Sequence, residues 1–221
     1  SSDLFHRDFS NISGSAGFTW QASKEINLKF NLSRGFRAPS IPELSSNGAH
    51  EGTNRFEYGD PDLRSEISWQ ADAGIEVATE HVSFTGNIFL NNIRHFIFYR
   101  KLLAIAGTDS LVVEGGEIFY AFRFNQANAR LYGVEFNLDI HPHPLDWLHL
   151  ENTFSWLRGQ LDQTQEGSRN LPFMPAARLI DQVKVDILKK SRWFQHVFVM
   201  AELDNTFSQR SPFLAYNRSE E

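Results

Sequence analysis

Residues Arg34–Glu66 read RGFRAPSIPELSSNGAHEGTNRFEYGDPDLRSE, a polar segment that glycine and proline interrupt repeatedly. It lies between two segments in which apolar and polar side chains alternate strictly, a pattern that predicts β-strands. Ordered connections of this length are uncommon in compact folds, and they usually carry function. The stretch therefore predicts a sheet protein with one elaborate connection at the end of its second strand.

The same alternation recurs along the chain and predicts about eight strands. In the second strand, Ile26, Leu28 and Phe30 oppose Asn27 and Lys29, whereas a helix would scatter these residues around its circumference. Short turns alternate with the long segments 34–66, 96–128 and 158–177, and the second long segment is expected to contain a hairpin. A break in phase near Asn92 predicts a β-bulge. The predicted strands are residues 9–20, 26–33, 66–77, 82–91, 132–140, 148–156, 179–187 and 193–207.

Short turns at one end and long loops at the other are typical of outer-membrane β-barrels. All five tryptophans lie at strand ends, where the aromatic girdles of such barrels lie: Trp20, Trp147 and Trp193 beside short turns, and Trp69 and Trp156 near long segments. The fold class is therefore predicted as all-β, an antiparallel up-and-down meander with one lipid-facing side. The strands of a soluble sandwich or lipocalin-like barrel also alternate apolar and polar residues. Such a fold explains neither the difference in loop length between the two ends nor the positions of the tryptophans.

The composition and the absence of certain motifs exclude several classes of function. The net charge of −6 argues against nucleic acid as a partner. The absence of cysteine excludes disulfides and thiolate metal sites. No stretch approaches the roughly 20 apolar residues of a membrane helix, and neither a phosphate-binding glycine loop nor a Gly-x-Ser-x-Gly motif is present. No catalytic residue is predicted, and the protein is expected not to be an enzyme.

Several ordered motifs resemble those of TonB-dependent outer-membrane receptors. They are Phe36-Arg37-Ala38-Pro39 with Pro42-Glu43-Leu44, Gly59-Asp60-Pro61-Asp62-Leu63 with Glu66, residues 125–133 (NQANARLYG), and Leu171-Pro172 with Pro175 and Arg178. Together they cover nearly the whole chain. The resemblance implies a structural role in the first long loop for Phe36, Arg37, Ala38, Pro39, Glu43, Gly59, Asp60, Pro61 and Leu63, with Arg37 and Glu43 anchoring the loop base.

The resemblance also implies a location and a larger assembly. Receptors of this family are barrels of about 22 strands filled by an N-terminal plug, in the outer membrane of Gram-negative bacteria. Their uptake is driven by the TonB complex, which acts through the plug. Residues 1–221 are then expected to form one partial barrel domain in contact with lipid, without the plug and the terminal strands. Its long loops would be extracellular, its short turns periplasmic, and its first and eighth strands unpaired edges.

Within the first long loop, the candidate ligand-binding residues are Asn47, His50, Glu51, Glu57 and Tyr58. His50 is the sharpest candidate, because imidazole binds zinc and haem iron. The alternative is a loop histidine satisfied by hydrogen bonds, and a lone histidine cannot fill a metal's coordination shell. No resident cofactor is expected; zinc, haem or an iron chelate would be the transported ligand.

The three histidines around the turn between the fifth and sixth predicted strands receive a structural interpretation. His141-Pro142-His143-Pro144 is expected to be a rigid turn shaped by its prolines, and His149 is expected to face water in the lumen. The leading hypothesis is a receptor for energy-coupled uptake of a metal ion, haem or a metal chelate. The alternatives are a self-contained eight-stranded outer-membrane enzyme or adhesin, and a soluble secreted β-domain.

Overall fold

The computed structural model describes residues 7–105, 107–165, 167–190 and 193–213, apart from the side chains of residues 51, 165, 189 and 190. One five-residue helix, α1 (Ile41–Ser45), is found there, and no helix in these ranges is long and apolar enough to cross a membrane. The strands are β1 (Gly14–Gln21), β2 (Ile26–Arg37), β3 (Asn47–His50), β4 (Arg55–Tyr58), β5 (Glu66–Ala78), β6 (Val82–Lys101), β7 (Leu111–Glu114), β8 (Glu117–Ile140), β9 (Leu148–Gln165), β10 (Ser168–Asn170), β11 (Arg178–Lys190) and β12 (Gln195–Thr206).

Eight of these strands form one antiparallel meander in the order β1-β2-β5-β6-β8-β9-β11-β12. The all-β, up-and-down fold predicted from the alternation is therefore confirmed. Within the described ranges β1 pairs only with β2 and β12 only with β11, so this sheet does not close into an eight-stranded barrel. The alternative of a closed eight-stranded barrel is not the arrangement that the strands adopt.

The sheet has one apolar and one polar face, as the period of two requires. On the apolar face, cross-strand neighbours of Phe30 are Phe18 and Ala73, and Phe18 is 63% exposed. On the polar face Lys29 forms an ion pair with Glu76. An exposed apolar face of this extent is what a lipid-facing barrel wall presents.

One polar pair interrupts the apolar face. Asn152 of β9 is in register with Asp181 of β11, and its side-chain amide donates a hydrogen bond to the Asp181 carboxylate. Their outer neighbours in the same row are Leu138 and Leu203. The polar residue that interrupts the apolar face of β9 therefore lies directly opposite the polar residue of β11, and the two side chains form a hydrogen bond with each other.

Two of the three long segments contain much more strand than predicted. β6 continues to Lys101 and β8 begins at Glu117, joined through the β7–β8 hairpin with positive φ at Gly115 and Gly116. β9 continues to residue 165 and pairs with β10. The bulge is confirmed, between Ile93 and Phe96. The first strand begins at residue 14 rather than residue 9.

The physical reason for β6 and β8 is that several side chains on both faces of their upper segments are buried. Ile97 packs with Leu44 and Leu63 on one face of the β6–β8 pair. Phe98 packs with Leu161 and Leu171 on the opposite face. Strands covered on both faces need not alternate apolar and polar residues, so the alternation did not reveal the extensions of β6 and β8. The hairpin expected within residues 96–128 is confirmed as β7–β8. The extension of β9 into residues 158–165 is polar apart from Leu161 and was also not predicted.

Candidate ligand-binding site

The first two long segments join into one small sheet, which we call the loop sheet: β3, β4, β7 and the first half of β8. β3 and β4 form an antiparallel hairpin, and β4 runs parallel to residues 120–123 of β8. β7 pairs with the start of β8. The backbone N–H of Ala49 donates to Glu114 Oε2 at 2.9 Å, which ties the hairpin to β7. The long connections thus form a shared platform.

Arg37 anchors the base of this loop. Its guanidinium donates to both oxygens of Glu43 at 2.8 and 2.9 Å and to both oxygens of Glu66 at 2.8 and 2.9 Å. Glu43 also forms a capping box with Ser40 at the start of α1. Burial alone would raise the pKa of the Glu43 carboxyl, but the hydrogen bonds from Arg37 and Ser40 hold that pKa below its usual value.

The Gly59-Asp60-Pro61 turn closes the loop against α1. The N–H of Gly59 donates to the Ser46 carbonyl at 2.7 Å, and a Cβ on Gly59 would lie 2.5 Å from the Ser45 nitrogen, so only glycine fits. Asp60 Oδ1 accepts from the Asp62 N–H at 2.9 Å, an Asx turn.

The apolar motif residues contribute differently. Leu63 is 1% exposed and packs in the cluster around Ile97, and Pro39 is buried. Phe36 is 40% exposed at the end of β2, and Ala38 is half-buried. These motif residues therefore fix the conformation of the first long loop where it joins the sheet.

His50 ends β3 at the exposed tip of the hairpin. Its Nδ1 lies 3.3 Å from Thr53 Oγ1, within the turn that follows. The side chain of Glu51 lies outside the described part of the structure. No group of three imidazole or carboxylate ligands includes His50 among the described residues. The metal-ligand role of His50 stays a prediction.

The structure divides the remaining predicted ligand residues between the two faces of the loop sheet. Alternation places His50 and Glu57 on one face and Asn47 and Tyr58 on the other. Glu57 is only 7% exposed, and its carboxylate acts on the phenol of Tyr99. Burial and the nearby Glu57 carboxylate raise the pKa of Tyr99. Glu57 is therefore buried beside β6 rather than presented to a ligand at the surface.

Tyr58 lies in a row that sequence reasoning missed, which we call the arginine row: Arg100, Arg123, Tyr58 and Asn47. Arg100 is in register with Arg123, Arg123 with Tyr58, and Tyr58 with Asn47. Both arginines are exposed, and Arg123 Cζ lies 5.9 Å from the Tyr58 ring centroid. Guanidinium groups stay charged at neutral pH and bind anions through their N–H donors. The row can therefore bind an anionic group beside an aromatic ring.

The sequence profile of the family "TonB dependent receptor-like, beta-barrel" matches residues 1–193. The chain belongs to this family. Members of the family are transporters of the bacterial outer membrane, not enzymes. In this setting the loop sheet lies at the extracellular end and the short turns at the periplasmic end of the barrel wall.

Solved structures of such receptors share the fold. The copper transporter OprC is 14% identical, with a TM-score of 0.60 over 78% of this chain and 24% of that one. The siderophore receptor PirA from Acinetobacter baumannii is 18% identical, with a TM-score of 0.54 over 80% and 27%. The ferric enterobactin receptor PfeA from Pseudomonas aeruginosa, a G324V mutant, is 17% identical, with a TM-score of 0.54 over 80% and 26%. The chain spans about a quarter of each.

Proposed function

We propose that this chain forms part of the wall and extracellular mouth of a receptor for energy-coupled uptake of an anionic metal chelate. The arginine row carries the proposal, because it presents two exposed guanidinium groups in register beside an aromatic ring. Guanidinium groups bind carboxylates and other planar anions in two-pronged fashion. Tyr58 adds a flat surface for an aromatic chelating group.

A chelate fits this site better than a bare metal ion. A bare ion needs several protein ligands, and within the described residues none gather around His50. A chelated metal brings most of its ligands, so His50 would supply at most one more, as an axial imidazole does in haem. The structural neighbours include a siderophore receptor and a ferric enterobactin receptor, which supports a chelate as the cargo class.

Transport requires parts that these residues do not supply. In the proposed mechanism the chelate binds at the loop sheet, and the TonB complex then acts through a plug domain to open a path. The barrel wall described here holds the loops in place and contacts outer-membrane lipid with its apolar face. The metal is cargo, and no resident cofactor is proposed.

The proposal is tested on the intact outer-membrane protein that carries this chain, purified in detergent. Binding of ferric tris(catecholate), haemin and ZnCl2 is measured by quenching of tryptophan fluorescence. We expect Arg123→Gln and Arg100→Gln each to weaken binding of one anionic chelate about tenfold, since a charge-assisted pair contributes about 1.5–3 kcal/mol. Binding of ZnCl2 should not change.

The matched control is Arg94→Gln, which removes an exposed arginine of the same strand outside the row. It should leave chelate affinity at the wild-type value. Equal affinity of the wild type and both row variants for ferric tris(catecholate) and haemin would contradict the proposal. His50→Ala separates the two candidate contacts, because it should weaken haemin binding more than catecholate binding.

A further inference from the structure

A second cluster of potential ligands lies at the opposite end of the sheet from the loop sheet. Asp139 is in β8, His141 follows β8 directly, and His149 is near the start of β9. The β8–β9 register pairs Asp139 with Glu151, so that its continuation brings residue 141 opposite His149. Three residues from two strands and one turn therefore converge on the polar face at the short-turn end.

The three side chains are close enough to share one ion. Asp139 Oδ2 lies 2.7 Å from His141 Nε2, and the rings of His141 and His149 are 4.5 Å apart at an angle of 71°. One potential ligand atom from each residue lies within 4.8 Å of the other two. All three residues are partly buried, which limits the competition from water.

An unsatisfied oxygen points to a ligand at this position. Asp139 Oδ1 is buried and has no hydrogen-bond partner in the structure. A buried carboxylate oxygen without a partner is unfavourable, and a cation bound between Asp139 and the two imidazoles removes that cost. His149 Nε2 also lies 3.3 Å from Asp186 Oδ2, so Asp186 restrains the ring as carboxylates restrain metal-binding histidines.

We infer that Asp139, His141 and His149 form a binding site for a divalent transition-metal ion. Two imidazoles and one carboxylate favour Zn²⁺, Cu²⁺ or Ni²⁺ over Ca²⁺ and Mg²⁺, which prefer sites made only of oxygen. Three protein ligands leave one position open for water or for another ligand. The site is at the periplasmic rim of the polar face, far from the arginine row, and it does not depend on the proposed uptake function.

The other histidine of the same turn lies outside this cluster. His143 is exposed and lies near His81, with ring centroids 5.4 Å apart. It is not in the ligand group. The partner of His141 is His149, eight residues further along the chain, and only the strand register brings them together.

The test uses the intact outer-membrane protein in detergent, stripped with a chelator and titrated with ZnCl2 by calorimetry. We expect one site that weakens about tenfold or more in His149→Asn, His141→Asn and Asp139→Asn. The matched control His143→Asn changes a histidine of the same turn and should bind as the wild type does. His50→Ala should also leave this site unchanged, which separates its outcome from that of the uptake proposal.

Spectroscopy tests the ligands directly. Bound Cu²⁺ should show nitrogen coupling from two imidazoles in its electron paramagnetic resonance spectrum, and from one in His141→Asn or His149→Asn. Should a variant fail to fold, Zn²⁺ should still protect His141 and His149 of the wild type from diethyl pyrocarbonate, measured by mass spectrometry. Wild-type modification of both histidines at the same rate with and without Zn²⁺ would overturn the inference, as would unchanged nitrogen coupling in both variants.

Discussion

Arg37 holds the first loop to the sheet by joining two carboxylates that come from different elements. Glu43 belongs to α1 and Glu66 to the start of β5, and both side chains are largely shielded, with 14% and 13% exposure. We expect Arg37→Met to leave these carboxylates facing each other and to destabilise the loop by about 1–2 kcal/mol, since Arg37 is itself 44% exposed.

The measurement is the rate of limited proteolysis within residues 41–65 of the intact protein, which should rise in Arg37→Met. Arg37→Lys keeps the charge but not the two-pronged geometry, so its rate should fall between those of the wild type and Arg37→Met. Identical cleavage rates in all three proteins would contradict the anchoring role of Arg37.

The same contact predicts a pH dependence. Because the folded loop lowers the pKa of Glu43, its ionised form stabilises the loop fully above the ordinary carboxyl pKa of about 4.3. That stabilisation is lost as the pH falls through the lowered value. The protection factors of the α1 amides, which compare their exchange with that of an unfolded chain at the same pH, should therefore fall below about pH 4 in the wild type. Glu43→Gln should have lower protection at neutral pH and a smaller loss in acid; a wild-type loss of protection in this variant would contradict the assignment.

At the scale of elements, the polar pair on the apolar face joins β9 to β11. Asn152→Leu removes the donor to Asp181 and leaves that carboxylate without this partner on a lipid-facing surface, which should destabilise the barrel by about 1–3 kcal/mol. Asn152→Leu combined with Asp181→Leu should recover the wild-type stability or exceed it, because both polar groups are then gone. Urea unfolding of the intact protein in lipid vesicles measures this, and additive losses in the double variant would contradict the pairing.

The elements also show what sequence could predict. Strands such as β2 and β5 have one polar and one apolar face, so polar and apolar residues alternate along their sequences. The ends of β6 and β8 are covered on both sides, and their residues Ile97 and Phe98 carry no such signal. Likewise, the arginine row and the pair of His141 and His149 depend on strand register, which composition and spacing do not determine.

At the scale of the whole molecule, β1 and β12 each have one edge without a partner strand within the described ranges, and one face of the sheet is mostly apolar, although it includes Asn152 and Asp181. Exposed strand edges pair with other chains, so we expect this chain alone to aggregate in buffer and to form oligomers in detergent. Ala16 of β1 and Ala71 of β5 flank the same residue, Leu32, on the apolar face. Ala16→Lys places a charge on the edge strand, whereas Ala71→Lys places the same charge inside the sheet.

Light scattering of these two variants in detergent shows how much the edge of β1 contributes to self-association. A lysine on an edge strand disfavours pairing with another copy, so Ala16→Lys should shift the chain towards monomer and Ala71→Lys should not. A monodisperse monomer of the unaltered chain in buffer without detergent would instead support a soluble β-domain. Equal oligomer size for both variants in detergent would show that association runs through the apolar face or through β12, because only the β1 edge distinguishes them.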